Sequence, residues 1–311
     1  MRASVIVSVY TLERLGDITD AVGAVLSQKK SDDELLILAD DRKDLLEGLG
    51  KAFHGMPVRI LAAKEPGLCF ARNLGIKESR GDYVVFLDDD AVPADGWLDS
   101  LLEPYSDAEV LATGGGIEPE WIAGRPSWFP GELDWLVGCF YSGHSSESSR
   151  VRNVIGANMS FRRSIFERTG FFSEKIGAIG KRRLAGDDSE FCMRVRETYG
   201  AGHIVYVPKA LVRHRVPLSR GTLEYSFRRA YVEGASKAVI AKMYAKSRKD
   251  SESLDTEASY MKYLLAKGLP SKLNPAGTGF SPSQFVVLSC CTALVMLGYL
   301  RGKLIPVKGV L

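Results

Sequence analysis

The sequence predicts an α/β fold: a doubly wound half-sheet with helices on both faces, followed by a helical C-terminal region. Three observations carry this. The first hundred residues alternate strand and helix patterns, the cadence that builds a sheet covered on both sides. One of those strands, Glu34-Leu35-Leu36-Ile37-Leu38-Ala39, is apolar with almost no alternation, as in a buried parallel strand. Beyond residue 220 the strand patterns give way to helical spacing.

Residues 3–10 (ASVIVSVY) form the first expected strand. A helix over 17–28 follows, with Ile18, Val22, Val25 and Leu26 on one face. The strand at 34–39 leads to a helix at 42–53, a strand at 58–61 and a helix around 69–79 that Gly81 terminates. Tyr83-Val84-Val85-Phe86-Leu87 then reads as a buried strand ending at residue 88. Residues 108–116 read as a strand running into Gly114-Gly115-Gly116, where backbones can approach closely. The segments 121–131 and 143–150 read as loops, one of them a possible lid. Residues 155–166 read as a strand and short helix, 185–200 as a capped helix, and 203–214 as a strand broken by Pro208. Helical patterns at 222–247 and 255–268 are separated by the charged stretch 247–254. The expected domains are 1–220, split near residue 100 into a nucleotide-binding half and a sugar-binding half, and a helical extension, 221–311.

Composition excludes several classes. Apolar residues make up 45% and charged residues 25% of the 311, which argues against disorder. The net charge of +3 comes from scattered basic residues, so no nucleic-acid track is expected. Five cysteines follow no metal-binding spacing and suit a reducing compartment. No Gly-x-Gly-x-x-Gly follows the first strand and no Walker lysine motif occurs, which disfavours nicotinamide, flavin and ATPase chemistry.

The informative stretch is FLDDDAVP, 86–93. Three like charges at the end of an apolar strand repel one another. A surface turn ending at Pro93 is one explanation. A cation with a phosphate on its far side is the other. Ligands of such sheets bind beyond the carboxyl ends of the strands, where Asp40, Asp41 and the aspartates at 88–90 all fall.

Taken in order, SVIVSVYTLER, ELLILADD, EPGLCFARNLGIKESRGDYVVFLDDDAVPADGWL, IGANMSFRRSIF and AGDDSEFCMRVR resemble a family 2 glycosyltransferase with the GT-A fold, a Rossmann-like mixed sheet. The resemblance covers about residues 3–216. Length and apolar tail are more narrowly similar to archaeal enzymes of lipid-linked oligosaccharide assembly, such as glucosyl-dolichyl-phosphate glucuronosyltransferases. The resemblance implies a nucleotide-sugar donor, most often a UDP-sugar, and Mn²⁺ or Mg²⁺. It puts the metal motif on Asp88-Asp89-Asp90, with Asp88 and Asp90 as metal ligands and Asp88 and Asp89 beside the donor. It implies that Asp40 reaches the nucleotide base, that Ser8 and Tyr10 meet the nucleoside, and that Arg72 contacts the diphosphate. Gly156, Ala157 and Asn158 match the segment flanking the donor sugar, and His214 a histidine that meets metal or pyrophosphate. Asp187 and Asp188 match the family's acidic pair, whose second member is the base.

The residues also allow other readings. Asp40 can cap a helix, Ser8 and Tyr10 can pack a strand end, and Arg72 can tie aspartate loops together by a salt bridge. Asp187 with Glu190 can form a capping box, which leaves Asp188 unexplained. Arg194 can serve an acceptor phosphate or the surface. The chain departs from the family in Ala39-Asp40-Asp41, where two aspartates and a glycine are usual, and in Ser8, where proline is common.

The function expected is inverting transfer of a hexose or glucuronate to a lipid-linked, dolichyl-phosphate type saccharide. The alternatives are a cytoplasmic polysaccharide or rhamnosyl-type transferase with a soluble acceptor, and a sugar-nucleotide-binding protein without catalysis. Arg152, Arg162, Arg163 and Lys181 are the basic candidates for reading a glucuronate. No charge occurs from Leu273 to Leu300, and FVVLSCCTALVMLGYL (285–300) approaches the roughly 20 residues of a spanning helix. No signal peptide is read at the N-terminus. The expectation is therefore a catalytic domain at the cytoplasmic face of the membrane, held by 280–304, or else a cytoplasmic protein whose C-terminal helices pack in an oligomer. A chain ending at Ser271 is expected to stay folded.

Overall fold

The computed structural model describes residues 1–174, 176–179, 182–184, 186–244 and 255–304. Lys181 and the stretch 247–254 lie outside the described residues. The chain divides into two compact units, one of Met1–Glu118, Ser145–Arg183 and Asp187–Arg215, the other of Pro119–His144, Leu184–Gly186 and Val216–Leu311. The segment expected to be a loop at 121–131 therefore groups with the C-terminal helices rather than with the sheet.

In the first unit β1 (Ala3–Val9), α1 (Leu15–Gln28), β2 (Glu34–Asp40), α2 (Lys43–Ala52), β3 (Arg59–Ala63), α3 (Leu68–Glu78) and β4 (Tyr83–Asp88) follow the expected cadence. Then come β5 (Ala91–Pro93), α4 (Trp97–Leu102), β6 (Ala112–Trp121), β7 (Ser149–Arg150), β8 (Asn158–Arg162) and α5 (Ile165–Thr169). The strands β9 (Gly177–Ile179) and β10 (Arg182–Leu184) pair with each other, and α6 (Asp187–Tyr199) and β11 (Ile204–Val216) complete the set.

Nine of these strands form one mixed sheet in the order β3-β2-β1-β4-β8-β6-β11-β5, with β7 beside β11. β1 lies parallel between β2 and β4, while β8 runs antiparallel to β4 and β6. The chain order reverses at β1, which opens a crevice at the carboxyl ends of β1 and β4. Ser8 stands directly across from Asp88 there. Ile18, Ala21, Val22 and Val25 of α1 are buried, with Leu26 half-buried at the edge of that face. On the other side of the sheet Phe86, Phe161, Phe172 and Phe191 pack edge-on and stacked, with centroids 4.5–6.2 Å apart.

The glycines of TGGG (113–116) are required by the sheet. A Cβ on Gly115 would overlap the Ala210 carbonyl oxygen of β11 and the Asn158 amide of β8, and one on Gly114 would overlap Val154. β6 lies between β8 and β11, and only glycine lets it sit there.

The second unit holds α7 (Leu223–Tyr244), α8 (Asp255–Tyr263), a π-helical turn at Leu264–Gly268, α9 (Leu269–Leu273) and α10 (Pro282–Leu304). Buried Glu132 meets Lys272 at 3.1 Å, and its carbonyl accepts the Tyr260 hydroxyl at 2.7 Å. α10 is long and apolar enough to cross a membrane. α7 and α10 lie along each other through glycine: a Cβ on Gly234 or Gly298 would overlap backbone of the facing helix, and one on Gly302 would stand 2.6 Å from the Ala235 carbonyl oxygen.

Candidate active site

Asp88 is the last residue of β4, and the two aspartates after it sit in the tight turn into β5. β11 pairs antiparallel with β5 so that His214 faces Ala91. That register brings a histidine more than a hundred residues away to the aspartate turn. His214 Nε2 stands 3.2 Å from Asp90 Oδ1, both side chains buried. One ligand atom each of Asp88, Asp90 and His214 lies within 4.8 Å of the other two. The set fits a hard divalent cation: two ligands across one small ion stand about 4.2 Å apart, and carboxylates with one imidazole suit Mn²⁺ or Mg²⁺ when phosphates complete the shell.

Arg14 is the residue the sequence reading missed. It follows β1 by five residues and forks across the aspartates, meeting Asp89 at 2.9 Å and ion-pairing with Asp90. Its guanidinium also lies 4.9 Å over the ring of exposed Tyr10. Burial pulls the Arg14 pKa down, but Asp89 and Asp90 outweigh it and the net shift is upward. Asp89 is pushed up to about 8, by burial first and then by its two acidic neighbours, against the pull of Arg14. The repulsion that made the run conspicuous is thus real and partly offset by the protein itself. The available signal was position: Arg14 is the first basic residue after the carboxyl end of β1.

Arg72 sits on α3, 3% exposed, between the rings of Phe86 and Phe172. It pairs with Asp187, donates to the Gly156 carbonyl at 3.1 Å, and reaches Asp88 at 3.7 Å. This is the bridge between aspartate loops that the residues also allowed. A side chain on Gly156 would stand 2.6 Å from that guanidinium.

Asp188 opens α6 beside Asp187. Its Oδ2 accepts the Gly156 N–H at 2.9 Å and its Oδ1 the Ser189 N–H at 2.6 Å. Burial, then the Asp187 charge, raises its pKa, and the backbone donors and Arg72 only partly reverse this. A carboxylate has about four acceptor positions, so two backbone bonds leave capacity for a hydroxyl. The capping-box alternative does not form as drawn: Asp187 pairs with Arg72, and Glu190 with Arg194 at 2.7 Å.

Other candidates are placed elsewhere. The buried Asn158 amide donates to the Gly116 and Ala210 carbonyls at 2.9 and 2.8 Å and accepts the Trp97 indole N–H at 2.8 Å. The amide thus joins β8 to its neighbours. Arg194 donates to Thr169 and Phe171 carbonyls as well as to Glu190, so it braces α5 to α6. Arg162 lies across from Tyr83, at the opposite end of β4 from Asp88, and Arg163 follows it. Asp40 ends β2, half-buried, and α2 begins at Lys43 with Arg42 in the N-cap position and no side-chain cap bond, so Asp40 is not its cap.

The family model for glycosyl transferase family 2 matches residues 4–170, more than half of the chain. The chain belongs to glycosyltransferase family 2. This family 2 transferase is similar to the glucosyl-dolichyl phosphate glucuronosyltransferase of Haloferax volcanii, 28% identical over 98% of this chain and 97% of the relative. It is also similar to the succinoglycan biosynthesis protein ExoM of Rhizobium meliloti, 28% identical over 61% of this chain and 58% of that protein. Among solved structures, GalNAc-T7 with UDP, GalNAc and Mn²⁺ matches with a TM-score of 0.52 at 17% identity, over 88% of this chain and 57% of that one. The fold of the transferase is GT-A.

Proposed function

We propose that this transferase moves a hexose or glucuronate, with inversion, from a UDP-sugar to a lipid-linked saccharide of the dolichyl-phosphate type. The acceptor class rests on the full-length similarity to the Haloferax volcanii enzyme. The observation that carries the chemistry is the Arg72 bridge: one guanidinium reaches Asp88 of the candidate metal set and Asp187 beside Asp188. That bridge supports a donor site and a base set side by side.

Asp88, Asp90 and His214 would hold the cation, and Ser8, Tyr10, Asp40 and Asp89 would line the nucleotide side. When bound, Mn²⁺ or Mg²⁺ supplies the positive charge that stabilises the departing diphosphate. Asp188 takes the proton of the acceptor hydroxyl as that oxygen bonds to the anomeric carbon and the bond to the diphosphate breaks. A raised pKa makes it a stronger base than an ordinary aspartate. No second carboxyl group has to protonate the leaving group, unlike in glycoside hydrolysis.

The apolar α10 supports a membrane location, and the free cysteines support its cytoplasmic face. The test is a screen of UDP-glucuronate and UDP-hexoses against polyprenyl-phosphate glucose, with and without Mn²⁺, read by product mass. A product that forms only with lipid-linked acceptor and metal supports the proposal. Equal transfer to a soluble sugar, or full activity in chelator, overturns it.

A further inference from the structure

α10 presents two faces, and they differ in what covers them. Leu288, Cys291, Gly298 and Gly302 are buried, the glycines against α7 at backbone contact. Opposite them Val286, Cys290, Ala293, Leu297, Leu300 and Leu304 are all exposed. They recur at intervals of four and three residues, which is one face of an α-helix. The stripe carries no charge and spans about 27 Å at 1.5 Å per residue.

We infer that α10 lies in the plane of an anionic lipid surface, its outer stripe in the acyl boundary and its inner face on α7, and does not cross the bilayer. The inference rests on the membrane reading above and specifies its geometry. A helix lying in an interface ordinarily needs a polar face toward water. Here that requirement falls away, because the side turned from the lipid is covered by α7. Crossing would have to part the glycine seam or drag α7 along. α7 carries the ion-paired ladder Arg229, Glu233 and Lys237, joined to Glu257 of α8, and such charges do not enter hydrocarbon. Lys242 of α7 further donates to the Gly302 carbonyl at 3.2 Å, fastening the end of α10.

Charge and area select lipid over a second copy of the chain. After Glu257 the sequence has six basic residues and no acidic one, and Arg301 and Lys303 are exposed at the end of the stripe. Taking the ~10 Å width of a helix, the stripe offers about 270 Å². A standard protein interface needs about 800 Å² from each partner. The exposed large apolar residues concentrate in the same unit, including Leu265, Leu273 and Phe280.

Cys290 is on the stripe and exposed, while the other four cysteines are buried, so single-site labelling is direct. The full chain is labelled with an environment-sensitive dye at Cys290, or at Val286→Cys, Leu297→Cys or Leu304→Cys in a Cys290→Ser background. It is then mixed with vesicles of equal parts phosphatidylcholine and phosphatidylglycerol, and depth is read with lipids quenched at defined acyl positions. The expected result is one shallow depth for all four positions. Leu297→Glu with Leu300→Glu should weaken vesicle binding about a hundredfold while UDP binding is retained, which shows the variant folded. Depths graded along the helix would mean that it crosses, overturning the in-plane geometry and leaving the membrane reading intact. Failure to bind vesicles overturns both, whether Cys290 is then protected in concentration-dependent dimers or labels freely.

Discussion

Asp188 is tied to two backbone N–H groups and still has room to accept a third hydrogen, which makes its variants informative. Asp188→Asn keeps the shape and cannot take the proton, so kcat should fall about 10²–10⁴-fold with UDP-sugar affinity nearly unchanged. Lost donor binding with retained kcat would move the base elsewhere. The raised pKa has two consequences of opposite sign. Activity needs the carboxylate, so kcat/KM should fall with decreasing pH through a midpoint above the ordinary aspartate value near 3.9. Stability runs the other way: the native state holds this proton more tightly than the unfolded chain, so the contribution is full at low pH and is lost as pH rises through the native pKa. A profile with no acid limb above pH 4 would contradict the assignment. Asp90→Asn addresses the cation instead. Asp90 shares His214 and Arg14, so its loss should weaken Mn²⁺-dependent UDP binding measured by calorimetry; equal, metal-independent affinity in both proteins would remove Asp90 from the ligand set. Asp88, Asp90 and Asp188 could be proposed from sequence because their types, at a strand end or a helix start, point to chemistry. Arg14 and the engagement of Asn158 were not, because partner choice across the sheet leaves no local mark.

At the level of elements, β11 does the assembling. It sets His214 across from Ala91 and passes close enough to β6 to demand Gly115. Gly115→Ala should therefore destabilise the protein by about 1–3 kcal/mol, the usual range for an inserted methyl in a packed site, read by urea unfolding. Ala at Gly16, where a Cβ meets nothing within 4 Å, is the control. Equal midpoints for the two would show that the strands can part. The parallel half of the sheet was readable because a strand buried on both faces is apolar nearly throughout. β5 is three residues long and α4 six, too short for periodicity to register. The placement of β8 between β4 and β6 is set by pairing between distant segments, which no window of sequence contains.

Across the whole molecule, the packing of the second unit bears on the expectation that a chain ending at Ser271 stays folded, and predicts that it does so with reduced stability. That cut removes Lys272, the partner of buried Glu132, and all of α10, leaving the α7 seam at Tyr231, Gly234 and Ala235 uncovered. A buried carboxylate stripped of its partner typically costs about 3–5 kcal/mol. The seam adds an exposed apolar strip that invites self-association. The truncated chain should therefore melt earlier than the full chain and bind a hydrophobic dye, both measurable without any substrate. Lys272→Met separates the two causes, since it breaks the ion pair and keeps α10 in place. A lower melting temperature without dye binding is expected for that variant. If the truncated chain melted with the full chain and bound no dye, α10 would be an appendage, and the seam that holds it to α7 would be without consequence for the fold.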